Sequence, residues 1–178
     1  MKPEIIDSEK VYESRIFRVS QARIRENGVV YERDIIEHPG SAVIVPVFSD
    51  KTAALVRQYR HPAEKYLLEL PAGSLEAGEN PESGAIRELE EEIGVRAGKI
   101  QKLTEFYVSP GFLSEKMFVF LATDLEEVGQ KLEEDELLSI ERLSFPQIFE
   151  LIKSGELEDA KTMLGLILAG ARFGFHFN

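Results

Sequence analysis

Residues 73–95 read GSLEAGENPESGAIRELEEEIGV and crowd Glu88, Glu90, Glu91 and Glu92 into the last turns of a segment that Gly94 ends. Local signals call for a helix here. Asn80 suits the N-cap, Pro81 the first helical position, Glu82 the N-terminal dipole, and Gly94 the position just past the C-cap. The acids then stand where a helix tolerates them least, because its carbonyl end repels negative charge. Glu88 and Glu92 are also like charges four apart, so each placement costs roughly a few tenths of a kcal/mol. A run that breaks local rules without a structural return marks a place to look for function. A bound divalent cation would turn the repulsion into a binding site.

On a wheel of about 100° per residue, Ala85, Ile86, Leu89 and Ile93 gather on one side, suited to packing on a sheet. Glu88, Glu91 and Glu92 share an arc on the other side, and Glu90 sits nearer the apolar edge, the poorest candidate ligand. Arg87, four before Glu91, is placed to pair with it and orient it. Carboxylates on a rigid face are what a hard cation such as Mg²⁺ takes, along with water and substrate phosphates. A solvated charged face is the plainer reading of any Glu-rich helix.

Strands dominate the first third. Arg15–Arg25 alternates, Asn27-Gly28 supplies a two-residue hairpin turn, and Val29–Glu37 is the return strand. Ala42–Phe48 and Ala53–Tyr59 flank a turn at Ser49-Asp50-Lys51, and Tyr66–Leu70 follows. Strands resume at Ile100–Val108, Lys116–Thr123 and Leu137–Leu143, the last after an acidic segment, Asp124–Glu136. Helices are expected over Ser144–Lys153 and Asp159–Arg172. The pattern is mixed α+β, with strands grouped and helices inserted. A length of 178 residues fits one domain, with an N-terminal hairpin region over 1–39 and the rest of the chain over 40–178.

Composition excludes more than it assigns. A net charge of -11 argues against a nucleic-acid backbone or an anionic membrane as partner. The absence of cysteine rules out disulfides, thiolate metal sites and cysteine nucleophiles, and fits a cytoplasmic protein. The opening residues lack the apolar core of a secretory signal. His38, His61 and His176 show no zinc spacing and read as surface or loop residues.

The spacing of the acidic segment is more specific than its charge. It matches G-x5-E-x7-R-E-U-x-E-E-x-G-U, with U apolar, through Gly73, Glu79, Arg87, Glu88, Leu89, Glu91, Glu92, Gly94 and Val95. This resembles the signature of the Nudix hydrolase family. The resemblance implies an α/β/α sandwich around a mixed sheet, dependence on a divalent ion (Mg²⁺, with Mn²⁺ or another possible), and hydrolysis of a nucleoside diphosphate linked to another group. It implies metal binding by Glu88 and Glu92 with the carbonyl of Ala72, and makes Glu91 a further ligand or a base. Glu79 is expected to hold loop and helix together.

Pro110 stands sixteen residues after Gly94 and is followed by Gly111 and Glu115, which resembles the ADP-ribose pyrophosphatase branch. That branch carries a leading hairpin, which contributes to a homodimer and to the adenine pocket. It also carries an acidic loop that supplies the catalytic base. The register places the base on Glu134 and an additional metal ligand on Glu136, while a slip of one moves the base to Glu133. Arg60 is expected at the phosphates, Arg33 and Glu37 at the adenosine end, and Glu115 at a terminal ribose hydroxyl. The alternatives are another nucleoside diphosphate sugar, such as GDP-mannose, and a non-catalytic nucleotide-sensing domain of the same fold.

Overall fold

The burial of the strand Ser41–Pro46 (β4) organises the rest of the chain in the computed structural model, which describes residues 2–132 and 137–177. All six β4 residues are buried, so the strand must be covered on both faces. Its neighbours are Lys116–Glu127 (β9), which runs parallel to it, and Ala72–Ser74 (β7), which runs antiparallel. Val95–Tyr107 (β8) completes this sheet on the far side of β9, giving the order β7-β4-β9-β8. A second sheet sets Leu138–Ser144 (β10), Thr52–Arg60 (β5) and Lys65–Glu69 (β6) antiparallel, with β5 central.

Successive strand residues face opposite sides, and the core divides accordingly. Val43, Val45, Leu55, Val119 and Leu121 pack with Phe145, Ile148, Leu157 and Leu166. These come from the region of two helices, Phe145–Ser154 (α2) and Ala160–Arg172 (α3). Ala42, Ile44, Val56, Phe120 and Ala122 pack with Ala85, Leu89 and Ile93 of the acidic segment. Helices therefore cover both faces of a mixed sheet, the α/β/α sandwich that the resemblance implies. Among the described residues, no helix is long and apolar enough to cross a membrane.

The N-terminal hairpin is present as Arg18–Glu26 (β2) and Val29–Glu37 (β3), closed by Asn27 and Gly28 at φ 49° and 84°. It is larger than expected. Glu4–Glu13 (β1) pairs with β2 and makes a three-stranded sheet.

The acidic helix also departs from its expected shape. Pro81–Glu88 (α1) is α-helical, capped by the Asn80 side chain accepting from Glu82 N–H at 2.9 Å, but Leu89–Ile93 is a π turn. Ala85, Leu89 and Ile93 still reach the core, as the wheel expects. Ile86, expected in the core, is 37% exposed, whereas Glu92 is buried.

Candidate active site

Gly73 and Glu88 define the site. A Cβ built on Gly73 would lie 1.9 Å from Glu88 Oε1 and 2.2 Å from its Cδ, so the carboxylate occupies the space a side chain would take. Only glycine lets β7 and α1 close to this distance. Gly73→Ala must expel the Glu88 carboxylate. We expect at least a hundredfold loss of turnover with an unchanged far-UV circular dichroism spectrum, measured on the purified variant.

Arg87 gathers the acids around this contact. Its Nε donates to Glu79 Oε1 at 3.1 Å and its Nη2 to Glu79 Oε2 at 3.2 Å. Its Nη1 donates to Glu88 Oε1 at 2.6 Å and to Glu91 Oε2 at 3.0 Å. The Arg87–Glu91 pairing and the loop-holding role of Glu79 are thus as the sequence suggested. The hydrogen bond to Glu79, then the charge of Glu88, push the Arg87 pKa above its ordinary value. Arg87 in turn holds Glu79 below the usual carboxylate range. Glu90 points elsewhere, to Arg96 at 2.8 Å.

A cleft of about 1200 Å³ opens beside Glu88. Ala72, Gly73 and Ser74 of β7, Arg87, Glu88 and Glu91 form one wall, and Ser14–Arg18, Glu37 and His38 of the N-terminal region form another. Of the expected site residues, Ala72, Glu37, Glu88 and Glu91 meet here. Glu92 does not line the cleft and is only 5% exposed. Glu37 accepts hydrogen bonds from Arg18 and from Ser20 Oγ, which hold its pKa low. Arg33 lies outside the cleft with its guanidinium 4.4 Å above the Tyr31 ring. Glu115 is also outside, accepting from Ser41 Oγ at 2.6 Å. Glu134 and Glu136, with Glu133, lie outside the described residues.

Arg60 is committed to a buried partner. Its Nε and Nη2 donate to the two oxygens of Glu69 at 2.7 and 2.9 Å, and Lys161 donates to the same carboxylate. Asp159 ties this cluster to α3 by accepting from Lys161 at 3.0 Å and from Thr162 N–H at 3.0 Å. The charge of Glu92 also acts on Arg60, so the cluster adjoins the π turn. Glu69 and Lys161 were invisible as a pair in sequence because 92 residues separate them.

The chain after β9 folds onto the end of the acidic helix. Gln130 Nε2 donates to Glu92 O at 2.6 Å, Lys131 N–H to Glu91 O at 3.1 Å, and Gly129 N–H to Gly94 O at 3.0 Å. These donors satisfy carbonyls that a helix end leaves open. Gly94 is required, since its φ is 74° and a Cβ would lie 2.6 Å from Gln130 N.

The cleft presents Glu88 and Glu91 on one wall with Ala72, oxygen donors of the kind a hard cation takes. Among the described residues, no three carboxylate or imidazole groups converge, and of the expected ligands Glu88 and Ala72 line the cleft while Glu92 does not. Such a partial shell suits Mg²⁺, which keeps several waters and takes substrate phosphates.

Comparisons with known proteins bear on the family and the fold. The family model for the NUDIX domain matches residues 38–165. The ADP-ribose pyrophosphatase of Bacillus subtilis (strain 168) is 37% identical over 165 residues, covering 91% of this chain and 89% of its own. The GDP-mannose pyrophosphatase of Salmonella typhimurium (strain LT2) is 33% identical over 153 residues, covering 79% of each chain. The crystal structure of an ADP compounds hydrolase superposes with a TM-score of 0.85 at 28% identity, covering 98% of this chain and 95% of that one. With the nine signature positions in place, Glu88 seated against Gly73 and the whole fold shared, the chain belongs to the Nudix hydrolase family.

Proposed function

We propose that this enzyme hydrolyses the diphosphate of ADP-ribose to AMP and ribose 5-phosphate. The observation that carries the reading is the cleft itself, in which the N-terminal sheet faces Glu88 across a space of nucleotide size. Similarity to an ADP-ribose pyrophosphatase over 91% of the chain, with Pro110 at its offset, supports the choice of substrate. When bound at Glu88, Glu92 and the Ala72 carbonyl, Mg²⁺ or a similar divalent ion would neutralise the diphosphate charge. Glu134 takes the proton of the attacking water as its oxygen bonds to phosphorus and the bridging P–O bond breaks. Its support is indirect: Gln130 and Lys131, just before the acidic loop, are bonded to the end of the acidic helix. Glu136 would add a further ligand to such an ion, and Glu91 is oriented by Arg87.

Arg60 offers the phosphates only the guanidinium edge that Glu69 leaves open. Glu37, on the cleft wall, serves the adenosine end, whereas the places of Arg33 and Glu115 outside the cleft lend no support to their expected contacts with adenosine and a ribose hydroxyl. Exposed Ile5, Val11, Val29 and Val30 support a homodimer formed through the N-terminal sheet.

A substrate panel with Mg²⁺ tests the assignment. ADP-ribose is expected to give the highest kcat/KM, and GDP-mannose turning over far faster would favour the reading supported by the Salmonella relative. Glu134→Gln is expected to lower kcat about 10²–10⁴-fold, and full activity in that variant would remove it as the base.

A further inference from the structure

We propose that His38 is a substrate-contacting residue: a neutral imidazole, protonated on Nε2, that donates to an anionic diphosphate oxygen in the cleft. His38 sits in the loop between β3 and β4, as expected, but its side chain is only 9% exposed and lines the cleft with Ser74 and Glu88.

The backbone fixes the ring. His38 N–H donates to Ser114 Oγ at 2.9 Å, anchoring the residue to the loop before β9. Gly40 N–H donates to Nδ1 at 3.0 Å. A backbone N–H can only donate, so Nδ1 must carry a lone pair, and the proton of the neutral ring must sit on Nε2. The Glu115 carboxylate, held by Ser41 Oγ, is 3.9 Å from Nδ1 and too far to accept a hydrogen bond from it. Gly40 is itself held, since its carbonyl accepts from Leu75 N–H at 3.0 Å.

The Nε2 edge is the one left for a ligand. Its contact is Ser74 Oγ at 3.5 Å, long for a hydrogen bond and easily replaced by an anionic oxygen. Ser74 follows Gly73, so this donor sits beside the strand that cradles Glu88. A neutral N–H suits a cleft rich in carboxylates because it binds an anion without adding a charge that those acids would capture.

The identity of the ligand rests on the diphosphate reading above; the tautomer does not. The test uses the full chain with Mg²⁺ and inorganic pyrophosphate as probe. Long-range ¹H–¹⁵N spectra of the ring are expected to show Nε2 protonated, Nδ1 unprotonated, and a shift of Nε2 on addition of the probe. His38→Asn keeps an acceptor for Gly40 N–H but loses the distal donor, and is expected to weaken pyrophosphate binding about tenfold or more. His38→Gln places an amide N–H near the Nε2 position and is expected to recover most of that loss. A ring protonated on Nδ1, an unmoved Nε2 resonance at saturation, or His38→Asn binding as tightly as wild type would overturn the proposal. If His38→Asn fails to fold, the wild-type ring spectrum decides alone.

Wild-type turnover of ADP-ribose, measured in parallel, separates the two claims. No turnover with a ring that responds to pyrophosphate sinks the substrate assignment alone. Normal turnover with an unresponsive ring sinks the role of His38 alone.

Discussion

Glu92→Gln is expected to lower kcat for ADP-ribose by about 10³-fold while leaving the fold intact. The substitution keeps the side chain's volume, so the buried position beside Leu89 and Ile93 still packs. What it removes is charge at a place where the local sequence concentrates charge against its own electrostatics. Glu88→Gln is expected to match it, because that carboxylate faces the cleft and is locked against Gly73. Glu91→Gln should cost far less, about tenfold, since Glu91 is 36% exposed and its geometry is set by Arg87. The signature of a binding role is linkage: wild type gains thermal stability on addition of Mg²⁺, and Glu92→Gln does not. A Glu92→Gln variant with wild-type kcat would remove the residue from the site.

The second large effect is on stability. Glu69→Ala is expected to cost about 3 kcal/mol, which for a chain of this size lowers Tm by roughly 6–12 °C in a calorimetric scan. Glu69 is 2% exposed and serves as the shared anion of Arg60 and Lys161. Deleting it leaves Lys161, itself 10% exposed, facing Arg60 with Asp159 and Glu92 as the remaining counter-charges. Burial alone would raise the Glu69 pKa, but the hydrogen bonds and charges of Arg60 and Lys161 outweigh it and hold the group below its ordinary value of 4.5. The sign follows from linkage. A carboxylate with a depressed folded pKa contributes stability that is fully present above its unfolded pKa and is lost as pH falls through the folded one. The Tm difference between wild type and Glu69→Ala should therefore be full near neutrality and shrink below about pH 4.5. A difference that grows on acidification would contradict the assigned direction.

Sequence made the acidic helix and the β2–β3 hairpin legible because both depend on neighbours a few residues apart. The Asn80 cap, the Arg87–Glu91 pair and the Asn27-Gly28 turn are local chemistry. β1 escaped because nine of its ten residues are exposed, so no alternation of apolar and polar residues marks it. The π turn escaped because the same residues can bond four or five positions back, and packing of Leu89 and Ile93 against the sheet decides between them. The environments of Glu69 and His38 are not legible in sequence because their partners lie far away in the chain: Lys161 for one, Ser114 for the other. A lone glutamate and a lone histidine carry no local signal of such partners.

The central claim is that carboxylates held on the acidic helix make a diphosphate cleavable by a divalent ion. Its most direct test is turnover of ADP-ribose after chelation of divalent ions, followed by titration of Mg²⁺ into wild type and Glu92→Gln. The account predicts no turnover in the chelated protein and saturable recovery in wild type. Glu92→Gln should stay inactive, or need far more Mg²⁺ to recover. Undiminished turnover after complete chelation, or identical Mg²⁺ curves for the two proteins, would contradict it.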